Sequence, residues 1–371
     1  MYTYAVTMPK QACKTIFGTS LKVAAVPIIM VANALIWYFY YFGFVGDIIN
    51  TAGFSNVESL TIWGISFLVL ALSALFSATL LNRTKSRNTF LFYWLSVGVI
   101  FSLIPLAIDI TQLNLIIIFS FFGNMYFGLG MPICFGYFAT VTEARNRSRM
   151  SGITFLCVFL GFFFLSVLNI NEIALNSLVL AVWKFSGFAA LLLIKPEEEK
   201  VFQSSRESYI SILKKRPFLL YFTSWLMFSV VNYLAIPIIS NSFTKVFGSD
   251  TFMYILESVL AAGFAVVFGF LGDYVGRKRL TVTGFILLGV GYASLGLFPK
   301  SITGQWFYLI VDGIAWGAFY TIFLMTLWGD LADGRNSEKY YAIGSLPYLF
   351  SNFMLISMGS YISDLVAQSA I

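Results

Sequence analysis

Eleven apolar segments, each long enough to cross a bilayer as a helix, constrain this chain more than any other feature of its sequence. A helix of about 20 apolar residues spans the hydrocarbon core, where every backbone N–H and C=O group must find its partner within the segment. The sequence therefore predicts an all-α integral membrane protein with eleven spans, numbered 1 to 11 in chain order. The segments lie at about 22–44, 60–81, 88–107, 113–140, 151–169, 173–194, 217–240, 251–272, 280–298, 304–328 and 341–361.

Composition argues against several other classes of protein. Hydrophobic residues make up 59% of the chain and charged residues 11%, against roughly 45–50% and about 25% in soluble domains. Histidine is absent, and the three cysteines, Cys13, Cys134 and Cys157, are widely separated. The sequence therefore predicts no disulfide framework, no metal site and no other cofactor. It also lacks a nucleophile–base pair and a phosphate-binding loop, which argues against an enzyme.

The basic residues are distributed asymmetrically about the predicted spans. If the N-terminus is cytoplasmic, 20 of the 23 lysines and arginines lie on the cytoplasmic side, Lys245 and Lys300 lie outside, and Lys184 lies within span 6. Membrane proteins retain positive residues in their cytoplasmic loops. The bias predicts a multi-pass protein of the cytoplasmic membrane, surrounded by lipid, with its N-terminus inside. It also accounts for the net charge of +6 without a nucleic acid partner.

The connection between spans 8 and 9 carries a dense motif of glycines and charges. Gly269, Asp273 and Gly276 are followed directly by Arg277 and Lys278. Glycines let two helices approach closely, and the acid can pair with a nearby arginine. The pattern resembles the G-x-x-x-D-x-x-G-R-K signature of the major facilitator superfamily of secondary transporters. That resemblance implies two related helical bundles that rock about one central site, with spans 1, 4, 7 and 10 lining the cavity.

A decayed copy of the same motif lies between spans 2 and 3. Residues 78–87 occupy the place that the first motif holds 191 residues later, with Asn82 where the family has Asp and Lys85 where it has Gly. The repeat predicts an N-terminal bundle at 1–195, a cytoplasmic linker at 196–216 and a C-terminal bundle at 217–371. The family plan also places a twelfth span near 365–386, so we expect that helix to be missing or the plan to be shortened.

The connection after span 4 supports the same family. Glu143 and Arg147 belong to an acid-then-arginine pattern that resembles the signature after span 4 in sugar porters, and Asp273, Arg277 and Glu143 are expected to form a gate latch at the cytoplasmic side. Within span 4, Asn124 begins a stretch similar to the family's R-x-x-x-G-x-G motif but replaces its arginine. Because that arginine is tied to proton coupling in relatives, this departure puts coupling through span 4 in doubt.

Each of the four expected cavity spans carries one conspicuous polar residue within its apolar run. A buried polar group in hydrocarbon is costly unless it faces protein or water, so these side chains can point into a cavity. Hydrogen bonding between helices is the alternative for the asparagines. Aromatic residues accompany them and suit a sugar ring or a planar organic solute, although such stripes are more often lipid-facing or packing surface. The candidate cavity residues are Asn33, Trp37, Asn124, Trp225, Asn232, Tyr233, Tyr308, Trp316 and Tyr320, together with Asp312.

Ionisable residues inside the predicted spans are the scarcest polar groups. Asp312 lies roughly 14 Å from the outer end of span 10 and Glu257 about 10 Å into span 8, at 1.5 Å per residue. A carboxylate whose exposure alternates can take up a proton on one side and release it on the other. We interpret Asp312 as the principal proton or substrate site and Glu257 as auxiliary. The alternative is a static ion pair with Lys184.

Taken with the resemblance, these features predict a secondary transporter that moves a sugar or similar metabolite by alternating access as a proton symporter. Its expected partners are a small-molecule substrate, protons and membrane lipids, and it is expected to be a monomer. Export of drugs or organic cations is the alternative, since the candidate cavity has an acid and few bases. A transport-inactive membrane receptor or scaffold on the same fold is the alternative of another class.

Overall fold

The computed structural model describes residues 21–84, 86–168, 170, 172–194, 207–249, 251–332 and 336–369. Across these ranges the chain is helical, and eleven helices are long and apolar enough to cross a membrane. The prediction of an all-α fold with eleven spans is therefore confirmed. A short linker helix, Tyr209–Leu213, precedes span 7.

Most spans are longer than the apolar segments from which they were predicted, although span 6 has the predicted bounds and the helix of span 3 ends at Ser102. Spans 1, 7 and 11 contain 32, 32 and 33 helical residues, which at 1.5 Å per residue is about 48 Å, against a hydrocarbon core of about 30 Å. The helices continue beyond the apolar stretch or tilt within it. The observed bounds are Leu21–Ala52, Asn56–Thr84, Arg87–Ser102, Leu113–Val141, Arg147–Val167, Ile173–Ile194, Arg216–Phe247, Thr251–Val275, Arg277–Leu297, Ile302–Ala332 and Ser337–Ser369.

Most helix contacts lie within one or the other half of the chain. Among the first six spans, span 1 packs on spans 4, 5 and 6, span 2 on span 4, and span 3 on span 6. Among the last five, span 7 packs on span 11, and span 10 on spans 8 and 9. The halves meet where span 5 lies along spans 8 and 10 and where span 11 lies along spans 2 and 4. The cavity and the charged contacts described below lie on these elements.

Spans 5 and 8 approach closely because glycines face each other at their contact. A Cβ atom at Gly269 would stand 2.9 Å from the carbonyl oxygen of Ser148 and 3.2 Å from the Cα of Gly152. Both neighbours are backbone atoms of span 5, so they cannot swing away. The glycine in the motif thus sets the distance between the two halves of the molecule.

Gly276 has a separate conformational role at the turn into span 9. Its φ angle is 93°, a region that residues with a Cβ atom rarely adopt. The turn lets spans 8 and 9 follow one another with a single residue between them.

Span 10 is interrupted in its middle. The α-helix Ile302–Phe319 gives way to a π-helical segment, Tyr320–Thr326, before α-helix resumes at Leu327–Ala332. The Thr326 hydroxyl donates to the carbonyl of Thr321, and the Ser151 hydroxyl of span 5 donates to the same carbonyl at 3.0 Å. Segments of this kind are frequent at functional sites. Here the segment is also a point of contact between the two halves.

Replacing Gly269 with alanine is expected to destabilise the protein by about 1–3 kcal/mol, because the new methyl group overpacks a contact made by backbone on both sides. Gly263 of the same helix is the matched control, since a Cβ atom there meets nothing within 4 Å. Thermal unfolding of the purified variants in one detergent gives the comparison. Equal melting temperatures for Gly269→Ala and Gly263→Ala would contradict the close approach described above.

Candidate functional site

A cavity of about 190 Å³, here called the central cavity, lies between spans 7, 8 and 10. Span 7 contributes Asn232 and Tyr233, and span 8 contributes Glu257. Span 10 lines one wall with four side chains separated by four residues each, as a single helix face requires. These are Tyr308, Asp312, Trp316 and Tyr320. Both ionisable residues singled out from the sequence therefore face the same small space.

Among the described residues, no basic side chain lines the central cavity beside its two carboxylates. No lysine or arginine is among the residues that line it, and within the described part of the chain Oδ1 of Asp312 has no hydrogen-bond partner. Asp312 is 3% exposed, and Glu257 interacts with it electrostatically. Ionised carboxylates that share a poorly solvated site repel each other, and burying an unpaired ion costs several kcal/mol. The site therefore suits a ligand that brings positive charge, either a proton or a cation.

Aromatic rings form the rest of the wall. Trp316 and Tyr320 are 4.9 Å apart between ring centroids at 32°, and Tyr233 meets Trp316 edge-on at 6.5 Å. The amide oxygen of Asn232 accepts a hydrogen bond of 2.7 Å from the hydroxyl of Tyr292 on span 9. The rings present faces on which a planar or cationic group can stack.

Three of the predicted cavity residues lie in the N-terminal half, away from the central cavity. Asn33 of span 1 donates to the carbonyl of Trp183 at 2.7 Å, and the Trp183 indole N–H returns a bond of 3.2 Å to the carbonyl of Asn33. Asn124 accepts from Tyr38 at 3.2 Å and donates to the carbonyl of Ser120 at 2.8 Å. The asparagines thus make the interhelical or local bonds that were the alternative to a cavity role.

Trp37 and Trp225 are fully buried in packed regions. The Trp37 indole N–H donates to Ser102 at 2.9 Å. Trp225 stacks on Phe323, with 4.7 Å between ring centroids. Neither side chain lines the central cavity.

Sequence reasoning missed Tyr348 of span 11. Its ring meets Tyr233 edge-on at 5.7 Å, and its hydroxyl interacts with those of Tyr233 and Tyr320. Span 11 was not among the spans expected to line a cavity, and a tyrosine in a chain with 20 of them carries no signal of its own. Tyr348 joins span 11 to the wall of the central cavity.

Charged side chains connect the halves at the end of the bundle that bears the connections between spans 4 and 5 and between spans 8 and 9. We call this the basic end and the contacts the latch. Arg147 and Arg149 come from the N-terminal half, and Asp273, Arg277 and Asp330 from the C-terminal half. Arg149 Nε lies 2.9 Å from Asp273, Arg277 Nε lies 2.7 Å from Asp330, and Arg147 pairs with the same Asp330. One carboxylate is thus shared by arginines of both halves.

Asp273 also binds the start of span 5. Its carboxylate accepts the backbone N–H groups of Ser148 at 3.1 Å and Arg149 at 3.2 Å. These groups belong to the first helical turn, which has no intrahelical partners and carries the positive end of the helix dipole. The motif acid therefore caps a helix of the opposite half, which explains why the glycines must bring spans 5 and 8 together.

A second buried pair closes the same end. Arg87 at the start of span 3 contacts Glu338 at the start of span 11, with nitrogen–oxygen distances of 2.8 and 2.7 Å. Gly136 of span 4 leaves room for this carboxylate, since a Cβ atom there would stand 2.7 Å from Glu338 Oε1. Removing one partner of a buried pair costs about 3–5 kcal/mol.

The expectation that Glu143 joins the latch is not met. Glu143 pairs at 2.5 Å with Arg145 of its own loop, and both side chains are more than half exposed. Asp330 of span 10 takes the expected place. Lys278 of the motif is exposed. Of the decayed motif, the side chains of residues 82–85 lie outside the described residues, as do 333–335 after span 10.

The linker helix adds a third connection at the basic end. Tyr209 donates to the carbonyl of Leu75 on span 2, and Glu207 pairs with Lys215 at 2.7 Å. Lys215 also donates to the Tyr340 hydroxyl of span 11 at 2.6 Å. Hydrogen bonds to Glu207 and Tyr340 raise the pKa of Lys215, so its charge is retained over the physiological range. The linker helix thus ties span 2 to spans 7 and 11.

Lys184 lies far from the carboxylates of the central cavity, so the static pair considered above is not formed. Its Nζ atom is inside the N-terminal half, 3.9 Å from the ring centroid of Trp94, 5.1 Å from that of Trp37 and 5.4 Å from that of Tyr126. The side chain is 0% exposed and Nζ has no hydrogen-bond partner in the described part of the chain. A desolvated cation–π contact contributes about 2 kcal/mol, less than burial of an ammonium costs.

No group of three or more acidic or cysteine residues within the described ranges is arranged to hold a metal ion. The arrangement instead offers a carboxylate site inside the bundle and a set of breakable ion pairs at one end.

Comparison with known proteins identifies the family of this chain and a solved structure with a similar fold. The family model of the Major Facilitator Superfamily matches residues 173–366, slightly more than half of the chain. The fold of this chain is similar to the crystal structure of the human organic anion transporter MFSD10 (TETRAN). The TM-score is 0.66 and the sequence identity 13%, over 94% of this chain and 97% of that chain. At this identity the likeness concerns the fold alone. No curated protein has a matching sequence.

Replacing Asp330 with asparagine is expected to open the basic end, because two arginines of opposite halves lose their shared partner. Spin labels at Thr89 of span 3 and Lys278 of span 9, both exposed, report the separation of the halves once the native cysteines are replaced. Pulsed electron paramagnetic resonance should reveal a longer distance in Asp330→Asn. The control is Glu143→Gln, which removes an exposed pair of little energetic value. An unchanged distance distribution in Asp330→Asn contradicts the latch.

Proposed function

Because the chain belongs to the major facilitator superfamily, we propose that it is a secondary transporter that moves a small organic solute across the membrane by alternating access, coupled to protons. The central cavity is the proposed binding site. The single observation that carries the proposal is the carboxylate pair, Asp312 and Glu257, which faces the cavity without a basic neighbour. The family membership supports secondary transport as the class of function. The carboxylate pair supports coupling to protons.

In this proposal the carboxylates take up protons from one side and release them to the other. Glu257 lies six residues from the start of span 8 and Asp312 ten residues from the start of span 10, about 9 and 15 Å from the end of the bundle opposite the latch. If the basic end is cytoplasmic, as the charge bias predicts, the cavity is closed toward the cytoplasm by the latch and lies nearer the outside. Opening inward then requires the ion pairs of the latch to separate.

Span 10 connects the two parts of this mechanism. Tyr320 lines the cavity and Asp330 belongs to the latch, and the π-helical segment lies between them. The hydrogen bond from Ser151 to the carbonyl of Thr321 fixes this segment to the other half. A change at the cavity that alters the helical register of the segment is thereby transmitted to Asp330. Ligands and protons then shift the equilibrium between the two states according to their affinity for each.

A sugar or similar metabolite carried by proton symport is the leading substrate class, on the loop pattern and on the amide and aromatic side chains of the cavity. The volume of about 190 Å³ is below the roughly 300–1,000 Å³ typical of ligand pockets, which favours a small solute. Export of an organic cation is the second candidate, favoured by the absence of a basic lining residue. An organic anion, the substrate class in the name of the similar human protein, requires both carboxylates to be neutral when it binds.

Transport by the purified protein in proteoliposomes distinguishes these candidates. A panel of sugars, organic acids and cationic dyes, each with and without a pH gradient, identifies the substrate class and the coupling. We further propose that the protein is a monomer of the cytoplasmic membrane. Absence of transport for the entire panel under both conditions favours the alternative of a receptor or scaffold that keeps the fold without transport.

Replacing Asp312 with asparagine is expected to remove the dependence of transport on pH and to lower the rate at least tenfold, because the amide cannot exchange a proton. Asp109→Asn is the control. Asp109 lies in the exposed connection between spans 3 and 4, where hydrogen bonds from Thr111 and Gln112 lower the pKa of its carboxyl group. Its loss should leave the pH profile unchanged. A profile in Asp312→Asn that equals the wild-type profile excludes Asp312 from coupling.

A further inference from the structure

We propose that the N-terminal half contains an anion-binding site, formed by the ammonium group of Lys184 and the hydroxyl group of Tyr126, that takes a small monovalent anion such as a halide or a carboxylate group. This site is separate from the central cavity. It lies within the first half, between spans 1, 3, 4 and 6.

The first argument is an excess of donors. Lys184 Nζ and Tyr126 Oη are both buried, and neither has a hydrogen-bond partner in the described part of the chain. The ammonium group offers three N–H donors and no acceptor, and the phenol offers one more donor. Buried polar groups in native proteins are almost always paired. What is missing here is an acceptor with negative charge.

The second argument is that the surrounding spans hold no acid that can provide it. Spans 3, 4 and 6 contain no aspartate or glutamate, and the only acid of span 1 is Asp47, ten residues beyond Trp37. Ten helical residues correspond to about 15 Å. The thiol of Cys134 on span 4 is the other titratable group that interacts with Lys184. A buried ammonium that no residue neutralises either gives up its proton or takes an anionic ligand, and the unpaired Tyr126 hydroxyl beside it favours the ligand.

The third argument is that the site is rigidly built. The indole N–H of Trp37 donates to Ser102, and that of Trp94 donates to the carbonyl of Tyr126 at 2.8 Å. Trp94 and Tyr126 are stacked, with 5.0 Å between ring centroids and 11° between planes. The rings are therefore fixed by bonds that do not involve the lysine. The ring that bears the Tyr126 hydroxyl is thus held against Trp94, and Lys184 Nζ lies over both rings.

Gly98 of span 3 brings the two donor side chains together. A Cβ atom at this position would collide with the Tyr126 hydroxyl and would stand 2.9 Å from the Cε atom of Lys184. Both side chains thus converge on the same point of span 3, where only a glycine leaves space. An anion bound there would contact the ammonium and hydroxyl groups on the side of Nζ that the faces of the Trp37, Trp94 and Tyr126 rings do not cover.

The route from water begins at the opposite end of the bundle. A cavity of about 600 Å³ opens between spans 1, 5 and 6, and Tyr40 and Asn176 lie in its wall. The Tyr40 hydroxyl donates to Asn176 at 2.5 Å. Asn176 lies eight residues before Lys184 on span 6, a separation of about 12 Å along the helix. Transient separation of this pair would extend the cavity toward the lysine, past a wall that also carries Asp47.

The test compares thermal unfolding of the purified protein in chloride, bromide and gluconate at constant ionic strength. Halides are expected to stabilise the wild type in a saturable manner, and Lys184→Met should abolish the effect. Lys278→Met is the matched control, because Lys278 is exposed at the basic end. Tyr126→Phe removes one hydrogen bond and should weaken halide binding about tenfold. Halide stabilisation that is absent from the wild type, or retained in full by Lys184→Met, overturns the proposal.

Two further measurements keep the test decisive. If Lys184→Met does not fold, crystals of the wild type soaked in bromide should give an anomalous peak beside Nζ of Lys184, and an empty map there overturns the site. Acetate and benzoate added in place of halide separate a free inorganic anion from the carboxylate of a solute, since only a site that accepts carboxylates responds to them. Halide binding is measured without transport, so a failure of the proposed transport function leaves this result interpretable.

Discussion

Charge inside a membrane must be neutralised, and the structure is organised around the places where this happens. Lipid offers no water to a buried ion, so each ionisable side chain in a span must find a protein partner, a ligand or a proton. At the basic end the partners are other side chains, and the ion pairs join the two halves. In the centre of each half no ion pair is formed within the described part of the chain, and Oδ1 of Asp312 and Nζ of Lys184 have no hydrogen-bond partner there. The unpaired groups are where ligands are proposed to bind.

The glycine motif and the latch are parts of a single arrangement. Gly269 brings span 8 against the backbone of span 5, and this proximity allows Asp273 to accept the N–H groups at the start of span 5. Arg277 then connects Asp273 to Asp330, whose other partner is Arg147. Glycine spacing, helix capping and charge pairing therefore depend on one another. A carrier needs contacts that hold firmly in one state and can separate in the other, and polar contacts at a helix end meet this requirement better than an interdigitated apolar surface.

Local sequence patterns predicted the spans and the face of span 10. They did not predict the partners of charged side chains, which depend on how distant helices meet. Hydropathy located the eleven spans, and the four-residue spacing of Tyr308, Asp312, Trp316 and Tyr320 placed them on one wall. The expected partners were less reliable. Glu143 matched a loop pattern but binds its neighbour Arg145, and Lys184 pairs with neither carboxylate because it lies in the other half. Depth in the membrane can be read from a sequence, whereas the direction in which a side chain points across a bundle depends on how every helix is rotated. A single sequence shows no pattern from which the exact helix ends, the role of Tyr348 or the π-helical segment could be predicted.

The π-helical segment of span 10 determines how the two parts of this helix are oriented relative to each other. A segment of this kind accommodates one more residue per turn than an α-helix, so everything after it is rotated about the helix axis relative to an uninterrupted helix, by about 100° for one residue. The angular phase between Tyr320 at the cavity and Asp330 at the latch is therefore set by the number of residues between them as much as by their identity. An uninterrupted α-helix with the same number of residues would leave every named side chain present and turn the acid away from its arginines, whereas shortening Tyr320–Thr326 by one residue would restore the angular phase.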